Sequence, residues 1–165
     1  MEVGFRRATN RDCEVAQHIV DRALREYGLY VVLDAGDVDL TDLERYYDAR
    51  GGGFEMIEGA AGEPLGVVGW RAAGEGVTEL KKLYLTAAAR GLGVGRRAVA
   101  RVIDAARAAG ARAIVLETAA VLTEANRLYR KLGFVPVQGA AAATFATLTE
   151  QCDLAYRLEL ANAID

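Results

Sequence analysis

Arg90-Gly91-Leu92-Gly93-Val94-Gly95-Arg96-Arg97, standing between an apolar run that ends at Leu85 and an Ala/Arg/Val-rich run that reaches about Ala109, decides how the 165-residue chain is read. Glycines let a backbone approach a ligand closely, and the first N–H groups of the helix that follows, at its positive dipole end, make a seat for phosphate oxygens. Arg90, Arg96 and Arg97 add charge-assisted donors. Three alternating glycines cost roughly 1 kcal/mol each where they replace a better helix former, so a tight turn without a ligand is the weaker account. A P-loop requires G-x-x-x-x-G-K-[ST], and this loop has no Lys; a dinucleotide fingerprint would need Gly where Arg96 stands.

Working outward, Val77 to Leu85 reads as a strand and the run to about Ala109 as a long helix stopped by Gly110. The apolar Arg112 to Leu116 is the next strand. A strand, helix, strand unit crosses over right-handed, so its two strands are expected to be parallel. Upstream, Val3 to Ala8 reads as a strand, and Asp12 to Tyr27 carries Val15, Ala16, Ile19, Val20, Ala23 and Leu24 at helical spacing. A second helix is expected to open at Thr41 with a Thr41/Glu44 capping box and to end at Gly51-Gly52-Gly53. Phe54 to Glu58 and Leu65 to Arg71 read as an antiparallel hairpin. Downstream come a helix over about Thr123 to Leu132, closing strands Phe134 to Val137 and Asp153 to Leu160, and an Ala-rich loop, Gly139 to Ala143. The predicted class is α/β in the mixed-sheet, α+β sense: a mostly antiparallel sheet with a central parallel strand-helix-strand unit, in one domain spanning 1–165.

Composition excludes several classes. With 52% hydrophobic residues, 2 Pro and 2 Cys, the chain is not collagenous, mucin-like, disordered or a disulfide-stapled scaffold. The net charge of −3 hides a split: Met1 to Gly76 carries 8 Arg against 15 acids, a net of −7, while Val77 to Asp165 carries 12 basic residues against 8 acids, a net of +4. A nucleic-acid binder is usually basic overall, so the split points to a small anionic ligand held by the back half. Cys13, Cys152 and His18 have no metal-ligand spacing and read as reduced thiols and an ordinary core or surface histidine. An N-terminus of Met1-Glu2-Val3-Gly4-Phe5-Arg6-Arg7, and the lack of any run near the ~18 apolar residues of a span, lead to the expectation of a soluble cytoplasmic protein.

Glu79-Leu80-Lys81-Lys82-Leu83-Tyr84-Leu85 followed by Arg90 to Gly95 resembles motif A of the GCN5-related N-acetyltransferases, whose Q/R-x-x-G-x-G/A falls on Arg90 to Gly95. Leu128-Tyr129-Arg130-Lys131-Leu132-Gly133-Phe134 resembles the second signature of that family. The resemblance implies acetyl-CoA as cosubstrate and no metal. It implies that Leu83, Tyr84 and Leu85 pair with the pantetheine like an added strand, and that the pyrophosphate sits on the N–H groups of Gly91, Leu92, Gly93, Val94, Gly95 and Arg96. The thioester would lie in a gap between the strands matching Glu79 to Leu85 and Arg112 to Leu116, and the Leu83 N–H could stabilise the oxyanion. Tyr129 resembles the general acid of the family. Glu79 matches the base of histone-type members, and Glu117 that of ribosomal-protein N-terminal acetyltransferases. The alternative for Tyr129 is ordinary aromatic packing, and for each glutamate an ordinary strand-end carboxylate. One departure is Leu122, where members often carry a cofactor-contacting Asn; Asn126 is near but on another face.

The resemblance places the acceptor pocket near Asp34, Asp37, Asp39, Asp42, Glu44 and Asp48, with Tyr27, Tyr30, Tyr46 and Tyr47. A cationic amine is the expected partner, against the plainer account of a solvated helix face. Neither nucleic acid nor membrane is expected as a partner, and a second copy of the chain, a homodimer, is a further candidate. Two other functions compete with an N-acetyltransferase acting on a small-molecule or peptide amine. One is a CoA-binding sensor without turnover. The other is an S-adenosylmethionine-dependent methyltransferase, imitated by the three glycines followed by Glu117 but opposed by Ala89 and by the five residues separating Leu85 from Gly91. A covalent acetyl-Cys152 route is a minor alternative to an incidental thiol.

Overall fold

In the computed structural model, which describes residues 1–138 and 151–161, seven strands share one sheet: β1 (Val3–Arg7), β2 (Gly53–Gly59), β3 (Pro64–Ala72), β4 (Val77–Leu85), β5 (Ala113–Thr118), β6 (Val135–Val137) and β7 (Leu154–Glu159). Their spatial order is β1-β2-β3-β4-β5-β7-β6. Every neighbouring pair is antiparallel except β4 and β5, joined by the crossover helix α3 (Val94–Ala108). The mixed sheet with one parallel unit is the fold that the sequence predicts. The Ala-rich loop over 139–143 lies outside the described residues.

Helices cover both faces, so β2 and β3 are buried on both sides along most of their length. On one face, Val94, Ala98, Val99, Val102 and Ala106 of α3 recur at helical spacing against Val68, Leu80, Ile114 and Leu116, joined by Tyr129 from α4 (Thr123–Lys131). On the other, Ala16, Ile19, Val20 and Leu24 of α1 (Cys13–Arg25) meet Leu43 of α2 (Leu43–Tyr46) over Phe54, Met56 and Val67. Each fully buried Val or Leu of these layers stabilises the fold by about 1.5–3 kcal/mol relative to exposure. A charge at Val99, which is 0% exposed, would break the first layer.

The second helix departs from its expected start. Thr41 donates its hydroxyl to the Val38 carbonyl at 2.6 Å and Glu44 accepts from the Asn10 N–H at 3.3 Å, so neither forms the capping box. Asp42 is the cap, accepting from the Arg45 N–H at 3.0 Å, and the helix has only four residues. A reciprocal capping box does occur at Thr9 and Asp12, ahead of α1.

Two irregularities position the site. Pairing of β4 with β5 runs from Val77 opposite Ala113 to Glu79 opposite Val115 and stops there, although β4 continues to Leu85 and β5 to Thr118. The strands therefore part. On the other edge of β4, Gly69 faces Lys81 and Val67 faces Tyr84, so Val68 opposes Lys82 and Leu83 together: a β-bulge. Lys82 takes φ +53°, the one positive value for a non-glycine among the described residues, in a conformation that costs an L-residue roughly 1–2 kcal/mol.

Candidate active site

The parting of β4 and β5 opens a cavity of about 650 Å³. Leu83, Tyr84 and Leu85 line it from β4, Arg90, Gly91, Gly93, Gly95 and Arg96 from the glycine loop and first turn of α3, Glu117 and Thr118 from β5, and Leu122, Leu128 and Tyr129 from α4 and its approach. Three of the catalytic and cofactor-binding candidates read from sequence lie off this lining. Leu92 is 51% exposed at the loop surface, Val94 is buried in the core, and Glu79 is buried at 2% exposure where β4 and β5 are still paired.

The loop has the geometry of an anion seat. Gly91 and Gly93 take φ +73° and +78°, which turn the chain into α3 at little cost only because neither carries a Cβ. Gly93 is the N-cap and supplies no side-chain acceptor; the first helical bond is Arg97 N–H to Gly93 carbonyl at 3.1 Å. The N–H groups of Val94, Gly95 and Arg96 thus lack intrahelical acceptors at the positive end of a four-turn helix. At Gly95 a Cβ would come within 3.0 Å of Leu128, so glycine also lets the first turn of α3 approach α4. These features fit a phosphate-bearing cosubstrate, which Gly91, Gly93, Gly95 and Arg96 would hold.

Arg90 is held at the rim. Its Nε donates to the Leu85 carbonyl at 3.1 Å, and its two terminal nitrogens meet both carboxylate oxygens of Glu26 at 2.5 and 3.0 Å. The guanidinium holds the Glu26 carboxyl below the usual carboxylate range. A sequence signal for this contact exists: Glu26 follows the last residue of α1, where a negative charge opposes the helix dipole and benefits from a cation brought by another element.

The two candidate bases differ sharply. Glu79 is 2% exposed and bonded to the Arg71 guanidinium at 3.1 Å, with Lys81 at 3.8 Å. Glu117 lines the cavity, and its buried Oε1 has no hydrogen-bond partner among the described residues. Desolvation first, and then the nearby charge of Glu79, push its carboxyl above the usual range against the opposing pull of Lys81, Arg71 and Lys82. Tyr129 is 4% exposed, its ring edge-on to Phe134 at 5.7 Å and tilted against Tyr156 at 5.9 Å. Burial, then Tyr84 and Tyr156, raise its hydroxyl above the ordinary phenol value, so it stays protonated at neutral pH.

On the α1–α2 side most of the acids are held by partners within the chain. Asp48 pairs with Arg7 at 2.6 Å, Asp42 caps α2, and Glu44 accepts from Asn10. Asp37 and Asp39 lie 2.6 and 3.5 Å from the Lys82 ammonium, and Asp39 accepts a short hydrogen bond from the Tyr47 hydroxyl. Of the four tyrosines, Tyr27 lines the cavity, Tyr47 is fully buried and Tyr30 is exposed. Lys82, on the cavity wall, was not foreseen as a site residue: its neighbours come from 45 and 43 positions away in sequence.

Asn126 is buried, its Nδ2 donating to the carbonyls of Ala119 and Ala120 at 3.0 and 3.2 Å, so it staples the β5–α4 connection while Leu122 lines the cavity. His18 is on the surface. Among the described residues neither cysteine is in a disulfide, no cluster of His, Cys, Asp and Glu is grouped as a metal site, and no helix is long and apolar enough to cross a membrane.

A family model described as the acetyltransferase (GNAT) family matches residues 24–134. The chain belongs to the GNAT family. It is 30% identical over 147 residues to the uncharacterized N-acetyltransferase YjgM of Escherichia coli K12, covering 85% of this chain and 86% of that protein. It is also 32% identical over 97 residues to an N-acetylaspartate synthetase of Xenopus tropicalis, covering 58% of this chain and 36% of that one. Among solved structures, a GNAT-family acetyltransferase of Staphylococcus aureus Mu50 superposes with TM-score 0.89 at 18% identity, covering 97% of this chain and all of that one. The yncA acetyltransferase of Salmonella typhimurium, solved with its cofactor acetyl-CoA, superposes with TM-score 0.70 at 22% identity over 99% and 96% of the two chains. This GNAT protein is therefore an acyltransferase of a family that uses acetyl-CoA.

Proposed function

We propose that this GNAT protein is a cytoplasmic N-acetyltransferase that moves the acetyl group of acetyl-CoA directly onto a primary amine of a small molecule or peptide. The observation that carries this reading is the convergence on one cavity of the loop glycines, the Leu83–Leu85 edge, Glu117 and Tyr129. The Leu83–Leu85 backbone, left without a partner on β5, holds the pantetheine, and Gly91 to Arg96 hold the pyrophosphate. Glu117, its buried Oε1 without a hydrogen-bond partner among the described residues and its carboxyl raised above the usual range by burial, takes the proton from the incoming ammonium, directly or through water. The amine nitrogen then bonds to the acetyl carbon, with the Leu83 N–H facing the developing oxyanion. The carbon–sulfur bond breaks, and the sulfur takes the proton of the buried Tyr129 hydroxyl. The second proton of the attacking nitrogen passes through water to restore that hydroxyl and leave a neutral amide, and Glu117 returns its proton to solvent. Glu79, buried and paired with Arg71, helps to raise the Glu117 carboxyl through its charge without touching the reacting atoms.

Around Glu117 the chain sets three cations, Lys81, Lys82 and Arg71, against four carboxylates, Glu79, Asp37, Asp39 and Glu117 itself, a net of −1. That balance supports an acceptor arriving as an ammonium ion. A second reading, an amino acid whose own carboxylate approaches Lys82, is favoured by the name of the N-acetylaspartate synthetase relative. Mass spectrometry of products from a panel of polyamines, aminoglycosides, acidic and neutral amino acids and peptide N-termini separates the two. Acetylation of polyamines or aminoglycosides ahead of amino acids supports the first, and a preference for acidic amino acids supports the second. No acetylated product from any amine would contradict both.

A further inference from the structure

Lys82 breaks two local rules at once. Its φ of +53° suits glycine, yet a long cation stands there. Its ammonium is buried against Asp37 and Asp39, and a buried ion pair is not in general more stabilising than apolar packing. Both costs fall on a residue that lines the cavity next to Leu83, and such strain persists where the surroundings enforce it.

The contacts of the cluster show what it joins. Asp37 accepts from the Val32 N–H at 2.9 Å as well as from Lys82, and Asp39 accepts from the fully buried Tyr47 hydroxyl. Residues 29–41 contain only one short turn of helix, at Val38–Thr41, and run from Tyr27 on the cavity wall to α2. Lys82 therefore ties an otherwise irregular segment to the bulge of β4.

We propose that Lys82 is a positioning residue: with Asp37 and Asp39 it fixes segment 29–41 against the bulge of β4 and so sets how the acceptor approaches the acetyl group. This rests on the N-acetyltransferase reading above. Glycine fits φ +53°, so Lys82→Gly keeps the bulge while removing the side chain and its ion pairs, and Lys82→Arg restores a cation on the cavity wall. The acceptor KM of this variant rises at least tenfold while its acetyl-CoA Kd stays within threefold of wild type, and Lys82→Arg regains at least half of the lost kcat/KM. Hydrogen exchange over residues 29–41 quickens in Lys82→Gly. Acceptor kinetics within twofold of wild type, or an equal loss of acetyl-CoA affinity, overturns the proposal. If wild type releases no CoA thiol with any amine, the transferase reading fails by itself; unchanged exchange over 29–41 then overturns the role of Lys82 as well.

Discussion

Glu79 and Glu117 project from the same face of two neighbouring parallel strands, Glu79 opposite Val115 and Glu117 two residues beyond it, yet only Glu117 reaches the cavity. The strands part just after Glu79, which leaves it sealed against Arg71, while Glu117 stands in the opening. Glu117→Gln should lower kcat by about 100-fold or more, the usual scale for a general base, with acetyl-CoA affinity retained. Glu79→Gln should instead keep kcat within several-fold and lose roughly 2 kcal/mol of stability, because Arg71 is left without its buried partner. Steady-state kinetics and urea melts of the two variants check this; equal kinetic losses would place both carboxylates in the reaction.

The raised carboxyl of Glu117 gives a pH dependence with a definite sign. Its folded-state pKa lies above the unfolded value of ~4.3. Its contribution to stability is therefore fully present below that value and is lost as pH rises through the folded pKa. Relative to wild type, Glu117→Gln should melt higher at pH 7.5 and no higher at pH 4. The acid limb of kcat/KM should lie above the ordinary carboxylate range and move to lower pH in Glu79→Gln, since the charge of Glu79 helps to raise it.

Tyr129 fills its site with a ring and offers the cavity a protonated hydroxyl. Tyr129→Phe keeps the contacts with Phe134 and Tyr156 and removes only the proton donor. We expect turnover to fall about 100-fold with acetyl-CoA Kd within threefold, measured by calorimetry alongside rates. An unchanged rate removes the acid role.

Glu26 occupies both terminal nitrogens of Arg90 at the cavity rim. The carboxylate competes there with any cosubstrate phosphate, so Glu26→Gln should tighten acetyl-CoA binding by about two- to fivefold, most clearly at low salt. Weaker binding would mean that the pair preorganises the loop.

Much of this site is written locally. Gly91, Gly93 and Gly95 announce their backbone duty, because positive φ and close helix approach have few other solutions. The parallel unit follows from a strand, a helix and a strand in succession. What depends on partners distant in sequence is not legible in this way. Thr41 and Glu44 have the spacing of a capping box, but Asp42 is one residue better placed and Asn10 captures Glu44. The acids from Asp37 to Asp48 look like one negative surface until Lys82, Tyr47, Arg7 and Asn10 take up most of them. The choice between Glu79 and Glu117 turns on where β4 and β5 part, which no spacing in the chain records.

The most direct test is the rate of CoA thiol release from acetyl-CoA by wild type at pH 7.5, with and without an amine acceptor. The account predicts release that rises with acceptor concentration, one thiol per acetylated amine. Tight acetyl-CoA binding with no acceptor-dependent release would contradict it and leave a CoA-binding sensor in its place.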